Sequence, residues 1–158
     1  SSNDTASVWE LMRFAGLVHN VTDPDPDRWM SAADILSMAT IGGARSAMLD
    51  HRTGSLEPGK AADLLMLDLQ SITFTPLNNI GRQLVYAENG RSIEIVMIDG
   101  SIVQEHGTIT HIDETSVLEE LRELLPAYQA QHSSLEARNA PFEPYFQQIY
   151  RNAIGDLR

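Results

Sequence analysis

The chain has 158 residues, of which 42% are hydrophobic and 21% charged, a balance typical of a soluble globular protein with one sizeable core. Its 22 acidic and 11 basic residues give a net charge of -11, which disfavours binding to nucleic acid or membrane surfaces because both are negative. It has no cysteine, which excludes disulfides and thiolate chemistry. These features predict a cytoplasmic protein that binds neither nucleic acid nor membrane.

The first third of the chain has helical periodicity. After a cap at Thr5 or Ser7, apolar residues recur at the spacing of one buried helix face: Val8, Leu11, Met12, Ala15 and Val18. The DPDPD segment at 23–27 ends this helix, because proline lacks an amide donor and restricts the residue before it.

Two shorter helices are predicted next. Ser31 is a favourable N-cap for a helix whose inward residues are Ala33, Ile35 and Leu36. The Gly42–Gly43 pair then leads into a separate helix over 44–49, whose small residues suit close packing.

From Thr53 the periodicity changes to that of strands. ADLLMLDL (62–69) predicts an aliphatic strand, and SIEIVMIDG (92–100) ends in an Asp99–Gly100 pair typical of a type I′ hairpin turn. Between them, a helix capped by Asn78 or Asn79 should end at Gly90. Strands that are aliphatic on both faces need cover that this chain does not supply, so the sequence predicts part of a larger structure.

The last third is again helical. Asp113 or Thr115 caps a helix that Pro126 can kink, with an apolar stripe formed by Val117, Leu118, Leu121, Leu124, Leu125 and Tyr128. A polar break in QHSSLEARNAP (131–141) should precede a closing helix that carries Phe142, Tyr145, Phe146, Ile149 and Tyr150.

No complete catalytic constellation is visible in the chain. The five histidines have no H-x-H or H-E-x-x-H spacing: His19, His51, His106, His111 and His132. His106 and His111 flank a turn at Gly107 and are interpreted as exposed loop residues. The clustered carboxylates are interpreted as solvated charge or turn residues: Asp23, Asp25, Asp27, Glu57, Asp63, Glu119 and Glu120. Serine-nucleophile and phosphate-binding glycine motifs are also missing.

Five segments nevertheless follow one family's pattern in order. They are SND with WELMRFAGLVHN, SAADILSMATIGGARSAML, GSLEPGKAADLLMLDL, QLVYAENGRSIEIVMIDGSIVQEHGTITHIDE and NAPFEPYFQQIYRNA. Together they resemble the C-terminal part of amidohydrolase-superfamily proteins, in the branch of cytosine and guanine deaminases and triazine chlorohydrolases. The resemblance covers nearly the whole chain.

The resemblance implies an α/β fold, namely the C-terminal fragment of a (β/α)₈ TIM barrel with a composite small β-sandwich domain. Residues 1–52 would be the last barrel helices, 53–113 the strands of the small β domain with an intervening helix, and 114–158 a C-terminal helical segment. GSLEPGKAADLLMLDL would then have a structural role, because function in barrels lies on the loops at the C-terminal face.

The resemblance also implies a Zn²⁺ or Fe²⁺ cofactor whose ligands would all precede residue 1. No catalytic residue and no metal ligand is therefore expected within this chain. The family pattern Gly-Thr/Ser-Asp-Gly, two small residues, then Ser-Asn ends in a match to Ser2 and Asn3. Ser2, Asn3 and Asp4 are thus expected near the mouth of the active site, with helix capping as the alternative role for Asn3.

The parent protein is accordingly expected to hydrolyse carbon–nitrogen bonds other than peptide bonds, by deamination or dechlorination of a small nitrogen heterocycle such as a nucleobase or triazine. The fragment alone should be inactive, and it should pack against the missing N-terminal part of the same protein. A homo-oligomer is left open, because the aromatic tail can pack against a second subunit. The alternative is a free-standing, non-enzymatic domain that assembles through its strand edges.

Overall fold

The computed structural model describes residues 5–155. The chain divides into two compact units, the first ending at His111 and the second beginning at Ile112. The first unit contains the helices α1 (Val8–Thr22), α2 (Ala32–Ser37), α3 (Gly43–Ser46) and α4 (Ile80–Tyr86) and the strands β1 (Leu64–Leu67), β2 (Ile93–Ile98), β3 (Ser101–Glu105) and β4 (Thr108–Ile109). The second contains α5 (Glu114–Asn139) and α6 (Glu143–Gly155). None of the described helices combines the length and apolar character that a bilayer crossing requires.

Helix α1 begins and ends where the sequence predicts. The Ser7 hydroxyl accepts a hydrogen bond from the amide of Glu10, and the amide of Asp23 donates to the carbonyl of His19 as the helix ends. The predicted buried face is wrong in detail, because Val8 and Leu11 are about half exposed. Only the strip around Met12 is covered by other elements of the unit.

Helices α2 and α3 form one continuous helical path. Ser31 and Asp34 form a reciprocal capping box, as the cap prediction implied, and Ile35 is buried while Ala33 is exposed. The predicted separation at Gly42–Gly43 is wrong, because a wide π-helical turn over Met38–Gly42 joins the two helices. Glycine costs only about 1 kcal/mol in a helix, which tertiary packing can offset. The path ends at Ser46, before the predicted residue 49.

The four strands form one antiparallel sheet in the order β1-β2-β3-β4. Leu65 lies opposite Val96, and Val96 lies opposite Gln104. The predicted I′ turn between β2 and β3 is confirmed by positive φ angles at Asp99 (50°) and Gly100 (78°). Leu65 and Met66 of the edge strand β1 point to opposite faces of the sheet and are each about half exposed, so the described residues leave both faces of β1 partly uncovered.

The helical core of the first unit is centred on Met12, Ile35 and Val85, from α1, α2 and α4. Asn79 caps α4 by accepting a hydrogen bond from the amide of Arg82, at one of the two predicted cap positions. Gly16 allows α1 to approach α4 closely, because a Cβ there would lie 2.6 Å from the hydroxyl of Tyr86.

The second unit consists of the long helix α5 and the shorter α6, joined by a 3₁₀ turn at Ala140–Phe142. Asp113 caps α5 by accepting from the amides of Thr115 and Ser116. The predicted break over 131–141 is wrong for its first nine residues, because QHSSLEARN contains no proline or glycine and includes several strong helix formers. Neither helix has a buried residue among those described.

Candidate functional site

The predicted residues at the mouth of the site, Ser2, Asn3 and Asp4, lie outside the residues that the structure describes. The first described feature after them is the N-terminus of α1, where the capping side chain is that of Ser7. Their placement near a catalytic mouth therefore stays a prediction.

His106 and His111 are exposed, as the sequence predicted. His106 contacts Glu94 across the sheet, with 2.7 Å between Nδ1 and Oε2, and His132 lies 3.5 Å from Glu136 one helical turn later. His19 and His51 are also exposed. Within residues 5–155, no group of three or more histidines and carboxylates converges in a way that could hold a metal ion.

Asp63 joins two turns at the end of the sheet. Its carboxylate accepts a hydrogen bond of 2.7 Å from the amide of Asp99, and Arg52 forms an ion pair of 3.3 Å with the side chain of Asp99. The amide of Asp99, followed by the hydroxyl of Thr53, holds the pKa of Asp63 below its ordinary value. Asp63 therefore anchors the turn that brings GSLEPGKAADLLMLDL into the sheet.

The other clustered carboxylates also organise turns. Within DPDPD, Asp23 accepts from the amide of Asp25 at 3.1 Å, and Asp25 accepts from the amide of Asp27 at 3.0 Å. Glu57 accepts from the Ser55 hydroxyl and pairs with Lys60 at 3.3 Å. These carboxylates are used locally, which agrees with their interpretation as turn and surface charge.

An open groove of about 630 Å³ lies between the α2–α3 path and strands β1 and β2. We call it the sheet groove. Asp63 is its one charged lining residue, and its walls are otherwise mostly apolar, including Ala39, Ala44, Leu65 and Met97. A groove lined in this way can bind apolar chain or an apolar ligand, but it offers few groups that could position a polar substrate.

Glu88 is a buried carboxylate that the sequence analysis did not identify. Its Oε1 accepts from the amides of Asn89, Gly90 and Ser92 at 3.0, 2.6 and 3.3 Å, and its own carbonyl accepts from Arg13 at 2.9 Å. The side chain is fully buried, and its Oε2 has no hydrogen-bond partner among the described residues. Glu88 therefore holds the α4–β2 loop together and connects it to α1.

Burial raises the pKa of the Glu88 carboxyl, but the hydrogen bonds from Ser92, Gly90 and Asn89 outweigh it and leave that pKa below its ordinary value. A carboxylate that stays ionised inside a turn is a structural anchor rather than a proton donor. The available signal was the polar ENG segment at 88–90, which resembles an ordinary helix end. Burial of the glutamate is set by tertiary contacts that this pattern does not encode.

Residues 5–155 form a mixed α/β scaffold with a four-stranded antiparallel sheet. A family model described as the amidohydrolase family matches residues 1–103. The 5-methylthioadenosine/S-adenosylhomocysteine deaminase of Desulfovibrio desulfuricans is 41% identical over 121 residues, which are 77% of this chain and 27% of that protein.

Two solved structures are similar in fold. A zinc-bound adenosine deaminase from Xanthomonas campestris gives a TM-score of 0.72 with 28% identity, over 77% of this chain and 28% of its own. A zinc complex of atrazine chlorohydrolase from Arthrobacter aurescens TC1 gives a TM-score of 0.68 with 26% identity, over 75% of this chain and 26% of its own.

The chain belongs to the amidohydrolase family, because the family match covers well over half of its length. The resemblance stated from the sequence, including the deaminase and triazine chlorohydrolase branch, is confirmed, as is the α/β fold. The chain spans only about a quarter of the length of the relatives that it matches, 27% for the Desulfovibrio protein.

Proposed function

We propose that this chain is the C-terminal part of a metal-dependent hydrolase that deaminates an adenosine-type nucleoside. The observation that carries the proposal is the 41% identity to a 5-methylthioadenosine/S-adenosylhomocysteine deaminase over 121 residues. The adenosine deaminase of known structure supports the same substrate class. The identity to the triazine enzyme is lower, at 26%. We therefore propose aminated purine nucleosides, rather than triazines, as the preferred substrates.

In this proposal, the metal ligands and the catalytic residues belong to the rest of the complete protein. The described residues do not fit a metal ion, because no three of their histidines and carboxylates converge on one point. Both structural neighbours carry zinc, which favours zinc over iron as the cofactor. A bound metal ion of this kind would supply an activated water for hydrolysis.

The contribution of this chain is then structural support for the barrel and for a second, smaller domain. We assign residues 1–52 to the last barrel helices, 53–113 to the small β domain and 114–158 to a C-terminal helical segment. The half-exposed residues of β1 and the apolar lining of the sheet groove support this proposal. Surfaces of this kind are expected where another part of the same protein packs.

Ser2, Asn3 and Asp4 are the residues of this chain that we place nearest the substrate, because Ser2 and Asn3 match the end of the family pattern after the metal-ligating Asp. Deletion of the Asn3 side chain, as Asn3→Ala, should reduce kcat/KM of the complete protein more than it reduces the free energy of unfolding. An equal loss in both measurements would assign Asn3 to helix capping instead.

The direct test is the release of ammonia by the complete protein from a panel of aminated purine nucleosides, nucleobases and triazines. We expect the highest kcat/KM for the adenosine-type nucleosides, loss of activity after exhaustive chelation, and recovery when Zn²⁺ is returned. Hydrolysis that persists undiminished after full metal removal would overturn the mechanism. Activity confined to triazines would overturn the substrate class alone.

A further inference from the structure

Helix α5 carries an apolar seam with the three- and four-residue spacing of a coiled coil. The seam consists of Leu118, Leu121, Leu125, Tyr128 and Leu135, and His132 occupies the intervening position. Its five apolar side chains are between 40% and 63% exposed. Steps of three and four residues over most of a 26-residue helix are typical of a helix that pairs with another along its length.

The charged residues that flank the seam favour one arrangement. Arg122 and Glu136 lie on the same side of the seam, at equivalent positions of two different heptads. If two α5 helices run antiparallel about a two-fold axis beside Ala130, Arg122 of one copy faces Glu136 of the other. The symmetry repeats this pair, so the dimer contains it twice.

The same register determines which seam residues face each other. Leu125 lies opposite Leu135 of the second copy, and Tyr128 lies opposite its His132. Leu121 lies opposite Asn139 near the end of α5, so the outermost layer at each end pairs an apolar with a polar residue. Pro126 falls on the side of the helix away from the seam, so its ring occupies none of these layers.

Within α5, the other arrangements place no opposite charges across the seam. In a parallel pair, the flanking positions within α5 would combine Val117 with Arg122, Leu124 with Gln129, and Gln131 with Glu136, none of which is an opposite-charge pair. A shift of the antiparallel pair by one heptad places Gln129 opposite either Arg122 or Glu136. Only the register centred on Ala130 pairs both charges.

We propose that α5 is a dimerisation helix that pairs antiparallel with α5 of a second copy of this chain. Among residues 5–155, the Glu136 carboxylate contacts His132 through Oε2 and is exposed, so its Oε1 can accept from an arginine. The family match ends at residue 103, so α5 lies outside the part of the chain that defines the family. The proposal is independent of the activity proposed above, because its test measures the molar mass of the protein in solution and not its catalysis.

The test is a charge-reversal cycle in the complete protein, with the molar mass measured by sedimentation over a wide range of concentrations. We expect a dimer for the wild-type protein. Arg122→Glu and Glu136→Arg should each raise the dissociation constant of the dimer roughly tenfold or more, because each converts two attractive contacts into two repulsive ones. The double variant R122E/E136R should restore dimerisation to within about threefold, since it exchanges the two charges.

Glu123→Arg is the matched control, because Glu123 neighbours Arg122 in sequence but lies on the face opposite the seam. It should change the dissociation constant by no more than about twofold. Circular dichroism of each variant checks that the helix content is unchanged.

Three results would overturn the proposal. The first is a wild-type protein that is monomeric at every concentration. The second is a dimer that neither single reversal weakens. The third is a sharp fall in the free energy of unfolding of the dissociated protein on Leu125→Glu. That result would show that the seam is covered by another part of the same protein.

Discussion

The two units of this chain solve the problem of burying apolar surface in different ways. The first unit buries Ile35, Phe74 and Val85 almost completely and uses Glu88 and Asp63 to fix its turns. In the second unit, α5 and α6 expose all their described aromatic and aliphatic side chains. The first unit contains the family match over residues 1–103, while α5 and α6 have no buried residue among those described.

The comparison teaches that a helix can form from local signals without a core. Asp113 supplies an N-cap for α5, and much of its length consists of strong helix formers. Its apolar stripe then has to be covered by another surface, because exposed stripes of this length favour association. The four predictions below test this contrast between a packed unit and an unpacked one, in order of decreasing effect.

The largest effect should come from Ile35→Ala in the packed unit. Ile35 is 2% exposed and lies between Met12 and Val85, so its truncation should cost about 2–5 kcal/mol through lost burial and a residual cavity. Urea denaturation of the complete protein measures the difference. If Ile35→Ala lowered the free energy of unfolding no more than truncation of a half-exposed α5 residue, the two units would not differ in packing as described.

Glu88→Gln should have the next largest effect. Replacement of the carboxylate weakens its hydrogen bonds with three amides and buries an extra amide group, at a cost of about 1–3 kcal/mol. Because the folded-state pKa lies below the unfolded one, the carboxylate contributes its stability above the unfolded pKa and loses it as the pH falls through the folded pKa.

The difference in the free energy of unfolding between wild type and Glu88→Gln should therefore be largest at neutral pH and shrink in acid. The measurement is urea denaturation at a series of pH values from neutral to strongly acidic. A difference that grew as the pH fell would show that the protonated form of Glu88 is the one favoured in the folded protein.

Ser31→Ala should cost about 0.5–2 kcal/mol, because it removes one half of the capping box at the start of α2. Ser31→Asp is the matched variant, since aspartate also caps helices, and it should retain most of the stability. The thermal unfolding midpoint ranks the three proteins. Equal midpoints for the alanine and aspartate variants would rule out a capping role.

The smallest effect should come from Glu94→Gln, which removes the partner of His106. Both side chains are largely exposed, and exposed ion pairs contribute about 0–1 kcal/mol. Double-mutant cycles with His106→Gln would measure the coupling. A coupling above that range would indicate that the end of the sheet is more rigid than its exposure suggests.

Local chemistry determined how much of the fold could be predicted. The I′ turn at Asp99–Gly100 was predicted from two residues, and the caps at Ser7 and Asn79 are each one of the two positions that the sequence predicted. The continuous path through Gly42–Gly43 was missed because packing offset the low helix propensity of glycine. The continuation of α5 to Asn139 was missed because polar residues were interpreted as a break.

The turn-forming carboxylates of the candidate region could be predicted from the sequence. The DPDPD carboxylates accept hydrogen bonds from amides two residues later, and Asp63 anchors its turn. Glu88 could not be predicted as buried, because burial depends on packing between distant parts of the chain. Its backbone carbonyl, for example, accepts a hydrogen bond from Arg13, which is 75 residues away in sequence. The apolar face of α1 was predicted as buried, yet much of it has no cover among residues 5–155.

The metal content of the complete, active protein tests the central claim most directly. If the chain supports a catalytic centre built elsewhere in the same protein, the purified enzyme should contain about one transition-metal ion per chain, and nucleoside deamination should rise in proportion to that content. Full deaminase activity in a preparation with no stoichiometric metal would contradict the account.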